Sequence, residues 1–272
     1  MPSYAEVTLF TSCLSTSFDS IAEAYDRARP EYPQQIFDRI LEYAQLPHFP
    51  ADVLEIGAGT GKATRPLASL GHRLVCLEPG PNLARFARGQ FASLTNVLFQ
   101  EVSFEHWEPD ERRFDIVFSA QAFHWLDPAR RLPKLAKVIR PGGALAIFGH
   151  SSDVAPPHIN DAIQSAYQVC APTLIQQDNA KSWYSSTTSP VTGELEACPL
   201  FEDLDFHVVE WSRELSSDAY CELLCTYSDH LALPSSQREA LLAAVRDAIC
   251  GNGDAVRLDY HTGLFLARAV GC

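Results

Sequence analysis

The chain has 272 residues, 46% of them hydrophobic and 20% charged, room for one large α/β domain or for such a domain with a cap. Its formal net charge is −13 and its few lysines are scattered, which argues against a nucleic-acid partner and favours a neutral or cationic small molecule. The eight cysteines form no C-x-x-C pair, the first basic residue is Arg27 and no stretch is long enough to span a bilayer, so a cytoplasmic chain with free thiols, no metal site and no membrane partner is expected.

Residues 1–17 are small and polar and read as a loosely packed arm. Helices are expected over 18–29 and 34–46, separated by Arg29-Pro-Glu-Tyr-Pro33, where two prolines forbid a continuous helix. From Val53 onward, short apolar runs alternate with amphipathic segments. Strands are expected at 52–56, 73–77, 96–100, 114–119 and 143–149, with helices near 62–70, 81–92 and 128–139. This alternation implies a parallel sheet with helices on both faces. Pro141-Gly142-Gly143 turns the chain into the fifth strand. After His150 the rhythm changes, with Pro156-Pro157, a helix near 160–170 and a polar stretch from Ser182 to Gly193. A strand at 201–211, helices at 217–226 and 235–250, and a final strand at 255–269 follow. The expected organisation is an arm with lid helices (1–50), a binding core (51–150), a cap insertion (151–200), and a C-terminal part that completes the sheet and carries cap helices (201–272).

The first strand runs into Val53-Leu-Glu-Ile-Gly-Ala-Gly-Thr-Gly61, the most informative segment of the chain. Gly57, Gly59 and Gly61 let the backbone turn sharply and approach a ligand closely. Strand, glycine turn and helix N-terminus together form a nucleotide-binding corner. The dinucleotide fingerprint needs a third glycine at position 62, where Lys62 stands, and the phosphate-binding loop fails at Ile56 and Ala63. What remains is acidic-x-G-x-G-x-G headed by Glu55. A carboxylate there suits the ammonium of an amino acid better than a pyrophosphate, and S-adenosylmethionine (SAM) carries an ammonium and no phosphate. The alternative is a tight turn that holds no ligand, at a cost in conformational entropy.

Five segments in order resemble the class I SAM-dependent methyltransferases, in particular the type 11 small-molecule branch that includes trans-aconitate methyltransferase-like proteins. They are Tyr25-Asp-Arg-Ala-Arg-Pro-Glu-Tyr-Pro33, Glu55-Ile-Gly-Ala-Gly-Thr-Gly61, Ser103-Phe-Glu-His-Trp107, Ala120-Gln-Ala-Phe-His-Trp125 and Arg140-Pro-Gly-Gly143. The resemblance implies a Rossmann-like seven-stranded sheet of order 3-2-1-4-5-7-6, strand 7 antiparallel, with helices on both faces and a helical cap. Ligand then lies beyond the carboxyl ends of the strands.

The resemblance also distributes roles. Gly57, Gly59 and Gly61 wrap the methionine part under Glu55. Glu78, followed by Pro79, accepts from both ribose hydroxyls. Ser103 stands where many relatives carry an aspartate to the adenine amino group, and Phe104 either packs on that ring or belongs to the core. Gln121 lines the cofactor through its backbone. Tyr25 and Arg29 close over the methionine end, Arg29 meeting the SAM carboxylate or else capping helix carbonyls. His124 is the candidate general base, with a structural histidine as the competing reading. Tyr32, Trp125, Trp183, Tyr184, Tyr227 and His230 are candidates for the substrate wall, or for ordinary cap packing. The expected reaction is methyl transfer to an oxygen or nitrogen of a small organic acceptor by a monomer or homodimer, yielding S-adenosylhomocysteine. A SAM-binding scaffold without methyl transfer is the alternative. A nucleic-acid or protein methyltransferase is disfavoured by the charge and by Ser119-Ala-Gln-Ala122 at the fourth strand, where such enzymes carry Asn/Asp-Pro-Pro-aromatic.

Overall fold

The computed structural model describes residues 17–175, Tyr184 and residues 189–271; Trp183, expected in the substrate wall, lies outside the described residues. A 3-10 turn (Ser17–Ile21) leads into α1 (Ala22–Ala28), which stops where Pro30 holds Arg29 extended at φ −69° and ψ 139°. α2 (Gln34–Ala44) follows, then β1 (Asp52–Ile56), α3 (Thr64–Ser69), β2 (Arg73–Leu77), α4 (Pro81–Gln90) and β3 (Val97–Gln100). Next come β4 (Phe114–Ala120), a 3-10 turn (Phe123–Trp125), α5 (Arg131–Val138) and β5 (Ile139–Ala155). α6 (Pro157–Cys170), α7 (Pro172–Ile175) and α8 (Pro190–Glu196) precede β6 (Phe201–Leu215). The chain closes with α9 (Ser217–Leu224), α10 (Ser228–Leu231), α11 (Ser235–Cys250) and β7 (Val256–Ala269).

The strands form one seven-stranded sheet in the order β3-β2-β1-β4-β5-β7-β6, with β7 antiparallel, as the resemblance implies. β1 pairs in parallel with β2 and β4, with Glu55 opposite Cys76 on one side and Phe118 on the other. Side chains alternate across the sheet, and both faces are buried, as a parallel sheet requires. Leu54, Ile56, Val117, Leu145, Ile147 and Phe265 enter one cluster with α5 and α8 residues such as Leu135 and Val191. Val53, Phe118, Ala146, Phe148 and Leu264 enter the other, with Phe37 and Ile40 of α2 and Leu67 of α3.

The chain divides into two compact units, three of the boundaries falling within β5, β6 and β7. One holds the described residues of 31–150, 183–209 and 262–272, including the glycine turn and both clusters above. The other holds those of 1–30, 151–182 and 210–261, around a separate core of Ile159, Ile163, Leu223, Leu241, Val245 and Tyr260.

Several elements depart from expectation. β5 starts at Ile139 and continues past residue 149 to Ala155, so Pro141-Gly142-Gly143, expected to turn the chain into this strand, lies within it, where the register against β4 shifts. The short helices α7 and α10 carry too little period to be expected, and α8 occupies the end of the stretch read as polar insertion. α8 forms because Ser189 caps it, accepting from the Val191 N–H, with Pro190 at the first helical position. Among the described residues no helix is long and apolar enough to cross a membrane, and the described cysteines are free thiols.

Candidate functional site

The turn after β1 is built by positive φ angles at Gly57 (73°), Gly59 (57°) and Gly61 (91°), a region that favours glycine. The Gly57 and Ala58 N–H groups both donate to the Leu77 carbonyl at the end of β2, which pins the turn between two strands. A side chain at Gly57 would overlap Ala122, and one at Gly61 would overlap the Phe91 ring. At Gly59 an added Cβ meets nothing within 4 Å among the described residues, which leave the middle of the turn open. Beside it, Thr60 is 2% exposed and its hydroxyl has no hydrogen-bond partner among the described residues. Glu78 closes the corner, its Oε2 accepting from the Gly59 N–H and its Oε1 from the Gly80 N–H, both at 2.8 Å. Exposed Pro79 follows, and the chain then enters α4.

Glu55 lies beneath this turn. It is 1% exposed, and its Oε2 accepts from Thr64 Oγ1 at 2.5 Å and from Cys76 Sγ at 3.6 Å. Burial pushes its pKa up to about 8; the two hydrogen bonds oppose this, and the charge of Glu78 adds to it. Glu55 is therefore an uncharged acid at pH 7. In the structure Glu55 ties β1 to α3 and β2 through its bonds to Thr64 and Cys76.

At the end of β4, Gln121 adopts a left-handed φ of 52°, unusual for a residue with a side chain. Its N–H donates to the Phe148 carbonyl (2.8 Å), its Nε2 to the His150 carbonyl (3.2 Å), and its Oε1 accepts from the Tyr32 hydroxyl (3.4 Å). The His150 ring stacks on Tyr32 with centroids 4.4 Å apart, and its Nδ1 lies 2.8 Å from Thr262 Oγ1. Sequence reasoning missed His150. Its one signal was its place at the carboxyl end of an interior strand.

His124 is carried by the 3-10 turn after β4. Arg131, 2% exposed, locks that turn by donating to the Phe123 and Leu126 carbonyls at 3.0 and 3.3 Å, while its guanidinium lies 4.2 Å above the Phe123 ring and pairs with Glu194 of α8. The His124 Nδ1 is 3.0 Å from the buried Tyr184 hydroxyl, and its ring packs 4.6 Å from that of Trp125. Burial, reinforced by the Arg131 charge, lowers the His124 pKa to about 4. His124 is thus neutral across pH 5–8. An unfolded histidine takes up its proton near 6.5, so His124 withdraws stability as pH falls from there toward 4 and has no such effect above it. The expected NMR result is an imidazole in one neutral tautomer from pH 8 down to 5; titration near 6.5 would overturn this account.

The adenine segment divides. Phe104 is buried in the core beside Trp107, centroids 6.4 Å apart, and Ser103 Oγ lies 2.9 Å from His106 Nδ1. In the other unit, Arg29 donates from Nε to Thr226 Oγ1 and from Nη2 to the Thr226 carbonyl, each at 2.8 Å, with its guanidinium 4.4 Å from the Tyr227 ring and 5.3 Å from that of Tyr25. His230 is buried there, its Nδ1 2.7 Å from Asp229 and its Nε2 2.6 Å from the Tyr167 hydroxyl. Tyr32, the glycine turn, Glu78, Gln121, His124, Trp125 and Tyr184 share one unit, and Tyr25, Arg29, Tyr227 and His230 share the other.

Comparison with known proteins agrees with this corner. The model of the methyltransferase domain family matches residues 54–147. An uncharacterized methyltransferase of Mycobacterium tuberculosis is 30% identical over 254 residues, covering 92% of this chain and 94% of that protein. A malonyl-[acyl-carrier protein] O-methyltransferase of Marinomonas is 32% identical over 156 residues, 55% of each chain. Among solved structures, a protein from Anaeromyxobacter dehalogenans described as a type II methyltransferase superposes with a TM-score of 0.62 at 23% identity, covering 90% of this chain and 99% of that one.

Proposed function

The chain belongs to the SAM-dependent methyltransferases, and on that premise we propose that it transfers a methyl group to an oxygen or nitrogen of a small organic molecule. The residues present fit the cofactor. The open face of Gly59 admits a ligand against the backbone, and the buried Thr60 hydroxyl lacks a protein partner among the described residues. Bound SAM supplies an electrophilic methyl group on a sulfonium. The chain supplies position and a dry environment, since aligning a lone pair with the C–S bond is most of the task.

In this reading the carboxylate of Glu78 takes the ribose hydroxyls, each oxygen accepting one in addition to its backbone N–H. Gln121, turned by its left-handed backbone, borders the methyl-bearing end. His124 is neutral at pH 7, and with a pKa lowered to about 4 it binds a transferred proton weakly. We assign it to positioning Tyr184 and Trp125 at the acceptor wall rather than to base catalysis. The Marinomonas relative's name gives an oxygen acceptor, which supports the oxygen arm of the proposal. The net charge of −13 supports a small molecule over a nucleic acid.

The observation that carries the reading is the Gly59–Glu78 corner with its open face. The test is incubation with SAM and a panel of small carboxylic acids, phenols and amines, with RNA, DNA and carrier proteins alongside, reading S-adenosylhomocysteine and product mass. One added methyl group on a small molecule is expected. Product only on a polymer would overturn the substrate class.

A further inference from the structure

One face of α9, carrying Asp218, Cys221, Glu222 and Cys225, lines an open cleft of about 300 Å³ that residues of α1 and α11 also border. All three helices belong to the unit that does not hold the glycine turn. We propose that this cleft binds one soft monovalent cation of the copper(I) type, in line between the sulfurs of Cys221 and Cys225. The site is independent of the SAM reading above. Cys225 ends α9 with φ −63° and ψ −9°, and its N–H donates to the Cys221 carbonyl at 3.0 Å, so the two residues stand one helical turn apart. Cβ atoms at that spacing are about 5–6 Å from each other, and two metal–thiolate bonds of about 2.3 Å laid end to end fit between such a pair. Both are free thiols, Cys221 buried and Cys225 half-buried.

The donor set selects the ion. Thiolates favour soft cations. A structural zinc ion takes four ligands. Among the described residues, three donor atoms of His, Cys, Asp or Glu gather within 4.8 Å of one another only at His48, Asp52 and Asp115, in the other unit. The described residues of the cleft thus offer two sulfurs without a third ligand beside them, the set a linear ion accepts. As each sulfur bonds the ion its S–H bond breaks, and two protons pass to solvent. Cys221 gives up its hydrogen bond to the Leu242 carbonyl (3.5 Å) in the exchange. The resulting bis-thiolate complex of a monovalent ion carries one negative charge, which the guanidiniums of Arg27 and Arg246 at the cleft offset. Those two pair with Glu222 at 3.4 Å and Asp218 at 2.7 Å, carboxylates whose side chains are 54% and 78% exposed, so the pairs are weak and compete little for the charge.

The probe is copper(I) alone, titrated without oxygen into the reduced full chain against the coloured chelator bicinchoninate. The wild type is expected to take one equivalent from the chelator. Cys221→Ser and Cys225→Ser are each expected to lower that affinity by about a hundredfold or more, since one sulfur remains. The exposed Cys250 thiol donates to Ser217 and Asp254 and does not line the cleft. Cys250→Ser is therefore expected to stay within about twofold of the wild type. Wild-type protein that takes no copper(I) from the chelator overturns the assignment. So does a Cys225→Ser variant that binds like the wild type, or a Cys250→Ser variant that loses as much as Cys225→Ser. If the buried Cys221 cannot be replaced without unfolding, the half-buried Cys225 decides alone by the same measurement.

Discussion

Gly59→Val is expected to cost about a hundredfold or more in SAM affinity, close to 3 kcal/mol, in a protein that still folds. The three glycines of the turn differ in what a side chain would strike, and that difference selects this one. At Gly57 it would overlap Ala122, and at Gly61 the Phe91 ring, so substitution there perturbs the fold and the site together. At Gly59 the added Cβ meets no atom of the described residues within 4 Å. In the proposed reading the valine side chain would occupy the space the cofactor needs against the turn. The price is the left-handed backbone, φ 57°, at about 1–2 kcal/mol for a residue with a Cβ. Calorimetry with SAM and thermal unfolding on the same sample separate the two effects. A folded Gly59→Val with unchanged SAM affinity would show that the ligand does not approach this face.

Glu55→Gln is expected to make the protein more stable at pH 8, by about 4 kcal/mol, and to flatten its stability profile between pH 4.5 and 8. The sign follows from the direction of the shift. In the unfolded chain the carboxyl ionises near 4.5; in the fold, burial raises it to about 8. Below 4.5 both states hold the proton and nothing is lost. As pH rises from 4.5 through about 8, the unfolded chain releases a proton that the fold retains, so wild-type stability drains away. Glutamine keeps the shape and an acceptor for Thr64 without a titrating group. Denaturant unfolding of both proteins at pH 5 and pH 8 reads the difference directly. A wild type that loses no stability relative to the variant over that span would show that Glu55 is ionised in the fold.

The βα rhythm made most of the sheet legible. The bounds of β1 and β2 agree with the segments expected from their apolar runs, because each strand is short, buried on both faces and ended by glycine or proline. The long tail of β5 was not legible, since His150 to Asp153 are polar and show no alternation; the strand persists there through pairing with remote segments. α8 was hidden because seven residues with a glycine among them carry little period, and its order comes from Ser189 and from the ion pair of Glu194 with Arg131. The corner itself was readable as a motif. Sequence could not say which way each carboxylate turns. Glu78 accepts from the backbone N–H groups of Gly59 and Gly80, while Glu55 lies beneath the turn, where burial raises its pKa. Nor could it show that Arg29 spends its guanidinium on Thr226 and Tyr227.

Tyr184 sits in a notch cut by two glycines. A Cβ at Gly149 of β5 would crowd its ring, and one at Gly263 of β7 would collide with its backbone carbonyl. Those strands are neighbours in the sheet, and β7 is its last strand in sequence. The notch is complete only where β5 and β7 pair, so the contact of the Tyr184 hydroxyl with His124 depends on the C-terminal strand although neither residue lies in it.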